Sequence, residues 1–178
     1  MFGRLAPLEV DLGCGDGSFL LAVARENPER DFLGIERLAG RVRSGCRRIE
    51  RAGLGNARVL RLEISYVVER LLPANSVTAF HLMFPDPWPK RRHASRRLVS
   101  ENFLASMYRA LCPDGMVRVS TDDPAYFRQI KQLVAHSSLF VVNSAPMPTV
   151  AVSKFEKRFI NDKVAIHRVE LRKVSPLT

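Results

Sequence analysis

The residues with the clearest chemical meaning are the glycines of a short turn near the start of the chain. The apolar run Leu8–Leu12 ends in Gly13-Cys14-Gly15-Asp16-Gly17, and a helical pattern begins at Ser18. Glycines at such a turn let the backbone approach a ligand closely. In a parallel sheet the turn lies at the carboxyl ends of the strands, where ligands of open α/β sheets bind. The pattern therefore favours a nucleotide-type cofactor site over a plain tight turn.

Carboxylates around this turn distinguish between nucleotide cofactors. Asp11 ends the first predicted strand and Asp16 lies within the turn. Two carboxylates beside a phosphate cradle would repel the pyrophosphate of a dinucleotide, whereas they suit the ammonium and sulfonium of S-adenosylmethionine. Glu36 ends the second predicted strand, where a carboxylate can accept both hydrogen bonds of a ribose diol. Glu63 ends the third, where an acid can receive an adenine amino group.

A second group of residues follows the fourth predicted strand, Val77–Phe84. Asp86 lies there within alternating prolines, which remove backbone donors and hold the segment extended. A carboxylate on such a stiff segment is well placed to receive a base, and Trp88 offers a face for stacking. The basic run Lys90–Arg97 suits a nucleic-acid backbone, although a solvated surface turn has the same composition.

Strand and helix patterns alternate along the chain and position these residues. The predicted strands are Leu8–Leu12, Asp31–Ile35, Ala57–Leu62, Val77–Phe84, Met116–Thr121, Leu139–Val142 and Val164–Arg172. The predicted helices are Ser18–Glu26, Ala39–Ala52, Ile64–Leu72, one capped by Ser100 and stopped at Pro113-Asp114-Gly115, and Pro124–Ala135. This alternation predicts one α/β domain over residues 1–178. We expect it to be doubly wound and Rossmann-like, with helices on both faces of a mostly parallel seven-stranded sheet.

Composition narrows the class of protein and its partners. The chain has 178 residues, and 28 Lys+Arg against 18 Asp+Glu give a net charge of +10, which favours a polyanion such as nucleic acid. Arg43, Arg47 and Arg51 form a basic face of the second predicted helix. No apolar run approaches the roughly 18–20 residues of a membrane helix. The three cysteines are far apart, so we expect no metal site and a reducing cytoplasmic compartment. We further expect no membrane association and no obligate protein partner, in a monomer or homodimer.

The segment Phe84-Pro-Asp-Pro-Trp-Pro-Lys-Arg-Arg-His93, followed by Arg96-Arg97-Leu98, resembles the signature of the tRNA (guanine-N7)-methyltransferases, the TrmB family. The resemblance runs from about Leu8 to Lys173. It implies the class I methyltransferase fold. It also implies methyl transfer from S-adenosylmethionine to N7 of a guanine in the variable loop of tRNA, with S-adenosylhomocysteine as the second product.

The resemblance also implies roles for particular residues. The family's cofactor positions fall on Asp11, Gly13, Gly15, Glu36 and Glu63, its active-site aspartate on Asp86, and its substrate positions on Lys90, Asp122, Ser153 and Glu156. Three positions depart from the family pattern. Asp11 stands where the family has Glu, Glu63 where it has Asp or Asn, and Ser153 where it has Thr. The two acid exchanges keep the charge and change its reach by one methylene, and the serine keeps the hydroxyl but lacks a methyl group, so these exchanges bear on affinity for cofactor and substrate.

Guanine N7 is an acceptor with no proton to remove, so its methylation needs placement of the base and no general base. We expect Asp86 to accept hydrogen bonds from guanine's ring N–H and amine, and to stabilise the cation that forms. Two other interpretations stay open. One is an adenine amino-methyltransferase, whose Asp/Asn-Pro-Pro-aromatic loop is close to Asp86-Pro87-Trp88. The other is a non-catalytic RNA-binding module with a degenerate cofactor site.

Overall fold

The computed structural model describes residues 1–88, 90–143 and 154–174, and at 91, 94, 95, 154 and 155 it describes the backbone alone. The strands are β1 (Leu8–Leu12), β2 (Asp31–Glu36), β3 (Ala57–Arg61), β4 (Val77–Met83), β5 (Leu111–Thr121), β6 (Phe140–Val142) and β7 (His167–Lys173). They form one seven-stranded sheet in the order β3-β2-β1-β4-β5-β7-β6. Strands β1 to β5 pair in parallel, whereas β7 runs antiparallel to β5 and β6. The predicted mostly parallel sheet is confirmed.

Helices cover both faces of this sheet. They are α1 (Ser18–Glu26), α2 (Ala39–Arg51), α3 (Ile64–Tyr66), α4 (Glu101–Ala110), α5 (Pro124–Ala135) and α6 (Lys154–Asn161). Along β2, Phe32 packs in a cluster with α1 and α2, while its neighbour Leu33 packs in a larger cluster with α4 and α5. Because successive strand residues point to opposite faces, these clusters are the two halves of the core. Every helix in the described ranges is too short or too polar to cross a membrane.

Side-chain caps explain where two of the helices begin. The Ser100 hydroxyl accepts a hydrogen bond from the Phe103 backbone N–H at 3.3 Å, and the Asp123 carboxylate accepts one from Tyr126 at 2.7 Å. Both satisfy N–H groups that a helix start leaves without an intrahelical partner. The predicted cap at Ser100 is confirmed, and the α5 cap fixes the helix that follows β5.

Two predicted elements differ in kind from the structure, whereas several other element ends differ by one to three residues. The turn predicted at residues 113–115 lies inside β5, because Leu111 already pairs with Val77 while Met116 pairs with Ala79. The extra residues form a bulge, in which Asp114 has a left-handed φ of 60°. The helix predicted over 64–72 is instead α3 followed by a π-helical turn at Val67–Leu71. There the Arg109 guanidinium donates to the Val68 carbonyl at 2.9 Å, which accompanies the wider turn.

Candidate active site

Two adjacent cavities of about 350 Å³ each lie at the carboxyl ends of β1, β2 and β4. The sheet order changes direction around β1, so this is the switch point at which open α/β sheets bind ligands. The first cavity is lined by Asp11, Gly15 and Asp16, and the second by Glu36, Glu63 and Trp88. Both include Gly13, Arg41, Met83, Phe84 and Asp86 in their walls. The structure therefore brings all the predicted cofactor residues and Asp86 to one cleft.

The glycine turn after β1 needs its glycines for backbone conformation. Gly13, Gly15 and Gly17 have φ values of 85°, 55° and 74°, a left-handed region that disfavours side chains. A Cβ added to Gly17 would lie 3.1 Å from the Cα of Gly45 on α2, so this glycine also permits close helix packing. The Gly13 N–H donates to the Ile35 carbonyl at 2.9 Å, which ties the turn to β2. The turn is thus held rigidly against the cleft.

Asp11 is a buried acid on the wall of the first cavity. Its exposed fraction is 3%, and its Oδ2 has no hydrogen-bond partner among the described residues. Burial, and after it the charge of Glu36, raise the pKa of Asp11 to about 7. An unpartnered buried carboxylate is costly, so the site is suited to a ligand that brings a cationic donor.

Glu36 and Glu63 line the second cavity and also hold the local backbone. Glu36 accepts hydrogen bonds from the backbone N–H groups of Gly15 at 3.2 Å and Leu38 at 2.8 Å. Glu63 caps α3, where its Oε2 accepts from the Tyr66 N–H at 2.8 Å. Each carboxylate is therefore oriented by the fold before any ligand is present.

Asp86 is exposed at the mouth of the cleft, on the segment that follows β4. Phe84 and Trp88, two residues to either side, have left-handed φ values of 55° and 42°. Such conformations cost about 1–3 kcal/mol each and persist only where surrounding contacts hold them. The Phe84 N–H donates to the Ser120 carbonyl at 2.7 Å, and its ring lies 5.1 Å from that of Phe159 on α6. The segment is therefore a strained, supported loop that presents a carboxylate.

Three of the predicted substrate positions, Lys90, Asp122 and Glu156, lie outside the walls of the two cavities. Lys90 is exposed and Asp122 is half-buried at the end of β5, and neither lines the two cavities. Glu156 is 6% exposed and forms an ion pair with Arg168 on β7. Ser153 lies outside the described residues.

Two arginines near the cleft have positions that the sequence pattern does not predict. Arg41, in the first turn of α2, lines both cavities and lies 3.9 Å from Glu36. It comes two residues before the predicted basic face, and its position after the end of β2 was the available signal. Arg97 belongs to the basic run Lys90–Arg97, but its guanidinium donates to the Pro87 carbonyl at 2.7 Å. A run of like charges does not show which of its members turns inward.

The sheet order, with its reversed β7 and with acids at the ends of β1 and β2, defines a class I methyltransferase fold. An rRNA methylase from Streptococcus thermophilus has a similar structure, with a TM-score of 0.64 at 11% sequence identity. The likeness covers 96% of this chain and 88% of that one. At this identity it bears on the fold alone.

Sequence comparisons narrow the class. Residues 5–169 match the family model described as "Putative methyltransferase". A tRNA (guanine-N(7)-)-methyltransferase from Syntrophotalea carbinolica is 35% identical, over 97% of this chain and 77% of the relative. One from Leifsonia xyli is 39% identical, over 89% of this chain and 72% of the relative. The chain belongs to the tRNA (guanine-N7)-methyltransferase family, which confirms the resemblance seen in the sequence.

Proposed function

We propose that this protein transfers a methyl group from S-adenosylmethionine to N7 of a guanine in the variable loop of tRNA. The observation that carries the proposal is that Asp11 and Asp86 line one cavity. A buried acid without a partner suits a cationic cofactor, and an exposed acid at the mouth suits an incoming base. Family membership supports the choice of guanine and of tRNA.

The cofactor end of the cleft has complementary charges. S-adenosylmethionine supplies a methyl group on a sulfonium, and it also carries an ammonium and a ribose diol. Asp11 pairs with the ammonium, which removes the cost of its unpartnered carboxylate. Glu36 accepts from the ribose hydroxyls, and Glu63 lies on the same wall for the adenine amine. The left-handed glycines at 13 and 15 keep side chains out of this wall.

At the base end, Asp86 recognises guanine by its donors. Its carboxylate accepts from the ring N–H and the exocyclic amine, a charge-assisted pair that adenine does not offer. This contact orients N7 toward the methyl group, so the rate gain comes from placement and not from proton removal. As positive charge moves onto the purine, the same carboxylate stabilises it.

Positive charge on the surface supplies affinity for the tRNA backbone. The chain carries a net charge of +10, and Arg43, Arg47 and Arg51 are exposed along α2. Arginines in such a row release counterions when they pair with phosphates. Lys90 and Asp122 are the further substrate positions in this proposal. Lys90 follows the carboxyl end of β4 in sequence, and Asp122 follows that of β5.

The test is methyl transfer from labelled S-adenosylmethionine to unmodified bulk tRNA, followed by cleavage chemistry specific for N7-methylguanine. We expect label at N7 of a variable-loop guanine. Asp86→Asn should lose most turnover and retain its affinity for S-adenosylhomocysteine, whereas Asp114→Asn, which removes an exposed acid from the β5 bulge, should keep both.

Three other outcomes are informative. Near-normal turnover in Asp86→Asn would refute the role of Asp86. Label on an adenine amino group would identify an adenine amino-methyltransferase. Binding of tRNA without binding of cofactor, and with no label in any base, would indicate an RNA-binding module with a degenerate cofactor site.

A further inference from the structure

Arg97 is held by groups within the protein through all three of its guanidinium nitrogens. Nε donates to the Pro87 carbonyl at 2.7 Å and Nη2 to the Trp88 carbonyl at 3.4 Å. Nη1 donates to the side-chain oxygen of Gln129 on α5. The guanidinium carbon also lies 5.3 Å from the ring centre of Tyr126. This arginine is therefore half-buried and turned away from solvent, unlike its exposed neighbour Arg96.

We propose that Arg97 is a positioning residue that fixes the Asp86 carboxylate in the cleft, and not a contact to tRNA phosphates. The inference rests on the proposed function of Asp86 as the residue that orients the base. It adds the hydrogen bonds of Arg97 that keep Asp86 in place before the base binds.

The segment around Asp86 requires such support because of its backbone. Its left-handed residues Phe84 and Trp88 are both strained. The Phe84 end is secured by the Ser120 carbonyl on β5. At the other end Pro87 has no N–H to donate, so its carbonyl is its one backbone group available for a hydrogen bond. Arg97 binds that carbonyl and the next one, which secures the second end of the loop.

The clamp is anchored on a well-packed helix. Tyr126 is fully buried, and its hydroxyl accepts a hydrogen bond from the Val99 N–H at 3.1 Å. Asp123 caps the same helix. Arg97 joins Gln129 on α5 to the carbonyls of the loop. Displacement of the loop would therefore break either the hydrogen bond of Arg97 to Pro87 or its hydrogen bond to Gln129.

Arginine is suited to this role in a way that lysine is not. The planar guanidinium reaches three acceptors in fixed directions, whereas an ammonium is a point charge on a flexible stem. Arg97→Lys therefore separates geometry from charge. A phosphate contact would tolerate lysine, whereas a clamp would not.

The experiment compares steady-state methylation of tRNA by Arg97→Lys and Arg97→Gln with the wild type. We expect kcat to fall about tenfold or more in both, because small displacements of a positioned group carry costs of this size. KM for tRNA and the Kd for S-adenosylhomocysteine should stay within about twofold, and the salt dependence of tRNA binding should not change. Arg128→Gln, which removes an exposed charge from α5, the helix that carries Gln129, should match the wild type.

A double variant shows whether the effect passes through Asp86. If Arg97 acts by holding that carboxylate, Asp86→Asn combined with Arg97→Gln should be no slower than Asp86→Asn alone. Multiplied losses would overturn the proposal. So would normal kcat in Arg97→Lys, and so would a salt slope reduced by about one in Arg97→Gln with kcat intact.

Folding and function can be separated in this design. If Arg97→Gln fails to fold, Arg97→Lys still decides, because it keeps the charge and most of the packing. The role of Asp86 is judged from Asp86→Asn alone, and the role of Arg97 from its lysine variant. The two failures can therefore be told apart, since normal kcat in Arg97→Lys overturns the role of Arg97 and leaves that of Asp86 standing.

Discussion

Glu36 accepts a hydrogen bond from the backbone N–H of Gly15 at 3.2 Å, which fastens the end of β2 to the turn after β1. Its second oxygen accepts from the Leu38 N–H at 2.8 Å, where α2 begins. One buried carboxylate thus holds three elements of the cleft wall. The same carboxylate is the acceptor proposed for the cofactor ribose.

Glu36→Gln should weaken cofactor binding more than folding. Glutamine keeps one acceptor oxygen but replaces the other with an amide NH2 group, which donates and cannot accept from a hydroxyl or an N–H. We expect the affinity for S-adenosylhomocysteine, measured by calorimetry, to fall about tenfold, as for loss of a hydrogen bond to a charged group. Glu29→Gln, which removes an exposed acid, is the matched control. Equal affinity in both variants would contradict a role in binding.

Cofactor affinity should depend on pH through Asp11. Burial and the nearby Glu36 charge raise the pKa of Asp11 to about 7, so the carboxylate is protonated at lower pH. An ammonium favours the ionised form and lowers this pKa in the complex, so binding below pH 7 must release a proton. We expect the Kd for S-adenosylhomocysteine to rise by up to about tenfold per pH unit below 7.

Titrations between pH 5.5 and 8, in buffers of different ionisation enthalpy, measure both the Kd and the released proton. Asp11→Asn should bind more weakly, and its Kd should vary less with pH. A flat profile in the wild type would show that Asp11 does not meet the ammonium.

Asp11→Asn should also change stability in a pH-dependent way. The folded-state pKa of Asp11, about 7, lies above its ordinary value of 3.8. Stability from the protonated form is therefore complete below the unfolded value and is lost as pH rises to about 7. Asparagine is neutral throughout. The free energy of unfolding of Asp11→Asn minus that of the wild type should therefore be about 2–3 kcal/mol larger at pH 8 than at pH 5.

Unfolding of the ligand-free protein at the two pH values checks this difference. Asp114→Asn changes an exposed acid and should show the same offset at both. An Asp11→Asn offset that does not grow with pH would mean that the carboxylate is solvated or paired when ionised.

Exposed arginines on α2 should determine the salt dependence of tRNA binding. If Arg43 and Arg47 each pair with a phosphate, replacing either by glutamine should lower the slope of log affinity against log salt by about one. Arg25, exposed at the end of α1, supplies a control with the same loss of charge. An equal slope in all three variants and the wild type would show that Arg43 and Arg47 are solvated surface residues that do not contact phosphates.

The fold was largely predictable because its signals are local. Apolar periodicity and glycine or proline punctuation predict all seven strands of the sheet and the helices α1, α2, α4 and α5. Helix α6 is not among the predicted helices, since the pattern of its first residues indicates a substrate motif. The β5 bulge was interpreted as a turn because Pro113, Asp114 and Gly115 have turn chemistry, whereas pairing with β4 decided their place in the sheet.

Local sequence is enough to show that acids follow or end the first strands and that a carboxylate follows β4. Since the carboxyl ends of parallel strands meet at one edge, Asp11, Glu36 and Asp86 had to lie near a common cleft. Tertiary structure alone decided which polar side chains turn inward. His81 Nε2 lies 2.6 Å from a Glu9 oxygen although the two residues are 72 positions apart, and Arg97 turns to the Pro87 carbonyl instead of solvent. Such partners depend on strand register and loop path, which bring together residues that no local pattern connects.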